Sequence, residues 1–363
     1  MKIGILGTRG IPNRHGGFEQ FAEIVSKLWN ENGHEIYVYC GHNHEFQQSE
    51  FEGIKRILVF DPEYLIGTSG QFFYDLGCIM DARKRNFDIL LQLGYTSNSI
   101  WGSLLPRHSK IITNMDGLEW KRSKYSAKVQ LFLKYAEKWA IKTSDFLISD
   151  SIGIQSYLEA KYKISSTYIP YGAEIPEISE GEMVLEKYGI KPFDFNILIA
   201  RMEPENNIEM ILEGIRTSGT SRKTLVIGST KNTFGTKMEK EFASEKIIFP
   251  GANYNKTELD VLRNQCYIYY HGHSVGGTNP SLLEAMASGA LISAHKNEFN
   301  ESILGQNGLY FSDSKEIIQQ QISIPESNRE GLIKNLQQEI QEKYSWNIIA
   351  QAYLDVFEKA LGK

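Results

Sequence analysis

The sequence predicts an α/β protein built from two doubly wound domains. Short apolar runs alternate with helical patterns along the whole chain, that rhythm restarts after the proline-bearing stretch YIPYGAEIP, and 363 residues exceed one ordinary domain. In the first half, KIGILG, EIYVYC, RILVF, DILLQLG, KIITN and FLISD are unbroken runs rich in Ile, Leu and Val, as expected of parallel strands buried on both faces. Between the first two, Phe18, Phe21, Ala22, Val25, Leu28 and Trp29 recur at helical spacing, and Asn32-Gly33 supplies a stop. A βαβ arrangement and a mostly parallel sheet follow.

In the second half FNILIA, TLVIG, KIIF, YIYYH and LISAH are the strands, separated by helices such as NNIEMILEGI and SLLEAMAS. The expected domains are residues 1–172 and 173–345, with the linker around 170–176. A last helix over about 346–361 has no strand after it, so it closes the second domain or crosses back to the first. Two such domains would leave a cleft between the carboxyl ends of their sheets, where ligands bind in this architecture.

Composition narrows the function. The net charge of −5 argues against bulk nucleic-acid binding. It is unevenly spread: residues 1–172 carry 20 Lys/Arg against 18 Asp/Glu, and the remainder 19 against 26, so the first half is better suited to an anionic surface. No apolar run approaches membrane-spanning length, and the opening Met-Lys-Ile-Gly begins a strand rather than a signal peptide. Cys40, Cys78 and Cys266 stand far apart and read as reduced, buried thiols of a cytosolic protein. His42 and His44, or His271 and His273, could pair, but without further ligands at fixed spacing they read as ordinary polar residues and no metal is expected.

Two loops carry the chemistry. GTRGIPNRHGGFEQFAE follows the first strand: Gly16 and Gly17 precede a helix whose amino terminus presents N–H groups to an anion, and Arg9, Arg14 and His15 add side-chain donors. A tight strand-to-helix turn would need only the glycines, and GTRGIP lacks dinucleotide spacing. The second half repeats the pattern. Arg201 stands at the carboxyl end of FNILIA, where phosphate contact competes with a plain surface salt bridge. YIYYHGHSVGGTNPSLLEAMASG then runs from strand through Gly276, Gly277, Thr278 and Asn279 into a helix; Pro280 suits its first position, and Thr278 or Asn279 can cap it. Glu284 lies one turn in. It can accept from a sugar hydroxyl or serve as a helix-end acid, and spacing alone leaves both open.

With these residues in view, the second half resembles the donor domain of retaining GT-B glycosyltransferases of the family 4-like clan, which includes sucrose synthase-like enzymes and mannosyltransferases. The resemblance rests on Arg201, Glu205 and Asn207, on LLEAMASG and on NESILGQNGLYF, and the opening glycine loop extends it to essentially the whole chain. NMDGLEWKRSKY and GHSVGGTNPSLLEAMA further resemble bacterial capsule and exopolysaccharide enzymes, among them rhamnosyltransferases that extend undecaprenyl-diphosphate-linked saccharides. The resemblance implies a GT-B fold, two Rossmann-like domains facing each other across a cleft. It implies transfer of a hexose from a nucleotide-sugar donor with retention, the leaving phosphate taking the acceptor's proton. Arg201 and Asp116 would be catalytic. Gly16, Gly17, Arg201, Asn206, Gly276, Gly277, Thr278, Asn279 and Glu284 would bind the donor, and Arg14, His15 and Glu119 would lie on the acceptor side. Neither cofactor nor metal is required in that scheme.

Three departures bear on the donor. The clan's diphosphate-gripping lysine is Asn206, the first of its two spaced glutamates is Gly276, and its HGL motif is Asp116-Gly117-Leu118. Since Arg201, Glu284 and both glycine loops persist, an altered donor sugar is expected, and a 6-deoxy sugar with fewer hydroxyls suits dTDP-rhamnose. The alternatives are a nucleotide-sugar epimerase of similar architecture and a nucleotide-sugar-binding protein without turnover.

A last feature concerns the membrane. Projecting SKYSAKVQLFLKYAEKWAIKTSD as a helix places Lys124, Lys128, Lys134, Lys138 and Lys142 within about a third of the circumference, with Leu131 and Tyr135 among them and Trp139 at the edge. Val129, Phe132, Leu133, Ala136 and Ala140 form a separate stripe expected to pack on the domain. A solvated lysine face is the plainer reading. The interleaved apolar groups favour peripheral association with an anionic inner leaflet, where a lipid-linked acceptor would be met.

Overall fold

The computed structural model describes residues 1–14, 16–121, 125–179, 181–274, 277–322 and 326–363, without the side chains of 326 and 327. His15, Lys124 and Gly276 therefore lie outside the described residues. The chain divides into two compact units, one of Met1–Tyr171 with Trp346–Lys363 and one of Gly172–Ser345.

The first unit holds an eight-stranded sheet of β1 (Lys2–Leu6), β2 (Glu35–Gly41), β3 (Glu50–Phe51), β4 (Ile54–Val59), β5 (Ile89–Leu93), β6 (Lys110–Asn114), β7 (Phe146–Ser149) and β8 (Thr167–Tyr168), in the order β3-β4-β2-β1-β5-β6-β7-β8. Every neighbouring pair is parallel except β3 with β4. Ile3, Ile5 and Leu6 of central β1 are fully buried, as the apolar run requires. The sequence reading missed β3 and β8, two-residue edge strands with no apolar run to mark them.

The second unit holds a fully parallel six-stranded sheet of β9 (Phe195–Ile199), β10 (Lys223–Ile227), β11 (Ile247–Gly251), β12 (Tyr269–His271), β13 (Ile292–His295) and β14 (Leu309–Phe311), ordered β11-β10-β9-β12-β13-β14. The short β14 was also missed. YIYYH is longer than its strand, because pairing with β9 and β13 begins only at Tyr269.

The last helix, Trp346–Ala360, packs in the first unit against the first helix, Gly17–Glu31. Its buried positions, including Trp346, Ile349, Ala350, Tyr353 and Phe357, recur at helical spacing and meet the stripe of Phe21, Val25 and Trp29. Phe21 lies 4.9 Å from the Tyr353 ring and Trp29 lies 5.2 Å from that of Phe357. The Trp29 indole donates to the Ala350 carbonyl at 2.9 Å, satisfying a polar group that aromatic burial would otherwise strand. Phe357→Ala should therefore lower the unfolding free energy of this unit by about 3–5 kcal/mol in chemical denaturation. A loss under about 1 kcal/mol would show that the helix is not part of its core.

Candidate functional site

In an open parallel sheet the crevice at a reversal of strand order, at the carboxyl ends, is where a ligand has access to backbone and loops from both sides. The second unit reverses between β9 and β12. Arg201 follows β9 there; it is exposed and, among the described residues, makes no ion pair. Its turn is fixed. Asn206, buried, donates through Nδ2 to the Arg201 carbonyl at 2.7 Å, and its Oδ1 lies 3.0 Å from Nδ1 of His273. Asn207 donates to the Gly272 carbonyl at 2.7 Å, and Ser274 donates through N and Oγ to the Glu205 carbonyl at 3.1 and 2.7 Å. A Cβ on Gly272 would fall 1.9 Å from the Asn206 carbonyl, so the two segments approach as closely as only glycine permits. Asn206 is thus an internal clamp, with both ends of its amide engaged.

Past β12, Asn279 caps the helix Pro280–Ala287 by accepting from Ser281 N–H at 2.9 Å, while Pro280 takes the first position. Thr278 is buried and Gly277 half-buried at the mouth of that helix. Glu284 receives a hydrogen bond from Nη2 of Arg263, a buried residue of the helix Lys256–Gln265 that the sequence reading did not select. Asn297 and Asn300 were missed as well. Both donate to the His273 and His295 carbonyls and so brace the ends of β12 and β13. Asn297 also caps its own helix, which the sequence pattern could have indicated; its reach to His273 needed the fold.

In the first unit the order reverses between β1 and β5, beside the 7–16 loop. Gly7, at φ +87°, would place a Cβ 2.1 Å from the Leu93 carbonyl, so the turn itself demands glycine. Gly16 is extended, and a Cβ there meets nothing closer than 3.6 Å, so conformation does not dictate its identity. Among the described residues no side chain caps the helix beginning at Gly17. Arg9, expected as a side-chain donor, forks its guanidinium onto Glu63 at 2.8–3.0 Å, and that hydrogen bond raises its pKa. The Glu19 carboxylate, buried under the loop, accepts from Arg9 N–H at 2.9 Å and offsets positive charge there. Arg14 lies 3.4 Å from Glu45 in an exposed pair, which contributes little.

Asp116 and the half-buried Glu119 follow β6. Asp116 lies near Tyr171, whose phenol is pushed well above its ordinary pKa by burial, with Asp116, Asp150 and Glu19 contributing. The basic helix spans Ala127–Thr143. Lys128, Lys134, Lys138 and Lys142 are exposed together with Leu131, Tyr135 and Trp139, while Leu133, Ala136, Glu137 and Ala140 are buried. Val129, assigned to the inner stripe, is exposed. Buried Glu137 instead draws in the Trp120 indole, Lys161 and the Tyr157 hydroxyl at 3.1, 3.1 and 2.9 Å.

Cys40, Cys78 and Cys266 are buried free thiols. Among the described residues no group of three or more His, Cys, Asp and Glu is placed to hold a metal ion, and no helix is long and apolar enough to cross a membrane.

Residues 1–174 match a family model described as a domain of unknown function, DUF1972. No curated protein matches the chain by sequence. Among solved structures it is similar to sucrose-phosphate synthase from Thermosynechococcus elongatus, at 14% identity over 99% of both chains with a TM-score of 0.82. It is also similar to HepE from Anabaena, solved with UDP-glucose, at 13% identity over 99% of this chain and 100% of that one, TM-score 0.77. A glycosyltransferase from Rickettsia africae is similar at 14% identity over 99% and 98% of the two chains, TM-score 0.74. The two parallel-dominated sheets and these matches give the chain a GT-B fold.

His271, at the end of β12, is buried with Nε2 unpartnered among the described residues. Burial, helped by His273, pushes its pKa down from 6.5 to about 3. Below pH 6.5 the unfolded chain binds a proton that the folded one refuses, so stability falls as pH drops toward 3, by up to about 1.4 kcal/mol per pH unit. Denaturation of His271→Phe should show a shallower decline than wild type between pH 6 and 4. Equal slopes would mean that His271 is protonated in the folded protein.

Proposed function

We propose that the protein is a glycosyltransferase that moves a hexose, rhamnose from dTDP-rhamnose, onto a lipid-linked saccharide of the undecaprenyl-diphosphate type in cell-surface polysaccharide synthesis. The observation that carries this reading is Arg201, an exposed cation without an ion pair among the described residues, in a locked turn at the strand-order reversal of a GT-B donor-type unit. The similarity to HepE, solved with UDP-glucose, supports a nucleotide-sugar donor.

In the mechanism the bond between the sugar's anomeric carbon and the diphosphate oxygen breaks. Arg201, with N–H groups of the 277–279 loop, stabilises the charge growing on the diphosphate. A leaving phosphate oxygen takes the proton of the acceptor hydroxyl, whose oxygen bonds the anomeric carbon on the face just vacated, so configuration is retained. Glu284 accepts from the deoxyribose hydroxyl of the nucleotide, and Asp116 is assigned to the donor sugar or acceptor hydroxyl. Glu119, Arg14 and His15 are assigned to the acceptor side. The Asn206 amide is engaged internally, so the diphosphate is assigned to Arg201, and no metal is assigned.

Incubating the protein with labelled dTDP-rhamnose or UDP-glucose, with and without lipid-linked acceptor and in EDTA, tests the reading. Acceptor-dependent transfer from dTDP-rhamnose that persists in EDTA is expected, and Arg201→Ala should slow it by roughly 10²- to 10³-fold without unfolding. Preference for UDP-glucose would overturn the donor, and product formed without acceptor would favour an epimerase. Donor binding without turnover would leave a binding protein.

The acceptor implies a peripheral position on the inner face of the membrane. Exposed Lys128, Lys134, Tyr135, Lys138 and Trp139 support this. Each lysine near anionic lipid contributes about 1 kcal/mol. Replacing Lys128, Lys134 and Lys138 with glutamate should release the protein from anionic vesicles at low salt while sparing nucleotide binding. Equal sedimentation of the triple variant would reduce this helix to a solvated face.

A further inference from the structure

The second unit buries a chain of charge beneath Glu284. Arg263, with 2% of its side chain exposed, donates through Nη1 to Asp260 at 3.1 Å and through Nη2 to Glu284. Asp260 is held in turn by Lys256 at 2.5 Å and by the Ser288 hydroxyl at 3.1 Å. Three donors thus fix Asp260, Asp260 fixes one side of a planar guanidinium, and the other side dictates where the Glu284 carboxylate sits. Glu284 retains 21% exposure, so this rigid chain ends at the surface, one turn into the helix Pro280–Ala287.

The arrangement is poorly suited to stability alone. Arg263 Nε is buried without a partner among the described residues, and an unmet buried donor costs about 1–3 kcal/mol. Well-packed apolar residues of similar volume often replace buried ion pairs without loss. What an apolar core would not provide is a carboxylate held in one rotamer before a ligand arrives, which spares the ordering cost of binding.

We infer that Arg263 is a positioning residue, holding the Glu284 carboxylate in the orientation that accepts the 3′-hydroxyl of the pentose of a nucleoside diphosphate. This rests on the nucleotide-sugar reading above. Arg263 itself touches no ligand in this scheme; it acts through Glu284, and its signature is selective loss of one hydrogen bond rather than general weakening.

Calorimetric titration of wild type and Arg263→Met with dTDP and with 2′,3′-dideoxythymidine diphosphate, which lacks the 3′-hydroxyl, tests this without turnover. Wild type should prefer dTDP by about tenfold to a hundredfold, the range for one charge-assisted hydrogen bond. Arg263→Met should lose most of that preference, binding the dideoxy compound as wild type does. Arg263→Lys keeps a cation for Asp260 but cannot fork between two carboxylates, and it should lose the preference too. It decides the matter if the methionine variant does not fold. Equal weakening toward both compounds would mark a structural role only and overturn the inference. So would a lysine variant with undiminished preference, or a wild type that does not discriminate. A wild type that binds neither compound would remove the dTDP-donor reading, and this inference with it, a result separable from the others.

Discussion

The geometry of the second unit's site depends on one close approach, that of Gly272 to the carbonyl of Asn206. No side chain fits there, and the space is closed by hydrogen bonds running both ways: Asn207 to Gly272, Asn206 to Arg201 and His273, Ser274 to Glu205. Two loops from adjacent strands thereby become one rigid piece. Arg201 is free to be exposed because its backbone is not free to move. The backbone that carries this cation is thus set before an anion arrives, as preorganised electrostatic stabilisation requires of the scaffold.

The first unit handles its loop differently. There the charges that look available are mostly engaged: Arg9 with Glu63, Glu19 with the Arg9 backbone, Arg14 with Glu45. What the loop presents is backbone, through a glycine-bearing helix start without a side-chain cap among the described residues. The same separation recurs at Glu137, a helix residue whose carboxylate organises Trp120, Tyr157 and Lys161 from beneath and leaves the lysines of its outer face to solvent. In both units charge is layered, with inner groups neutralised in pairs and outer ones left accessible.

The buried ionic chain under Glu284 belongs to this pattern, and it reaches from core to surface. Its cost in desolvation is tolerated because each group but Arg263 Nε finds a partner. His271, a few residues before the same helix, is the opposite case: a buried polar ring kept neutral rather than paired.

Apolar periodicity by itself determined the two α/β units, the longer strands and the first and last helices, because burial on both faces of a parallel sheet leaves a continuous signature. It also located Arg201, the 277–279 turn and the Asn279–Pro280 helix start, since cap and turn chemistry is local. Edge strands of two or three residues left no such trace. Tertiary structure alone decided which charges are engaged. Arg9 and Arg201 look alike in sequence, each following a strand in a glycine-bearing or strand-end turn. Glu63 stands 54 residues from Arg9 and reaches it through the sheet, while no carboxylate among the described residues reaches Arg201. Arg263 was invisible for the same reason: its i,i+3 partner Asp260 is legible on a helix, but Glu284 comes beside it only when β12 and the following helix fold back. Periodicity reports which face of an element is buried, and it carries no information about which residue meets another across the core.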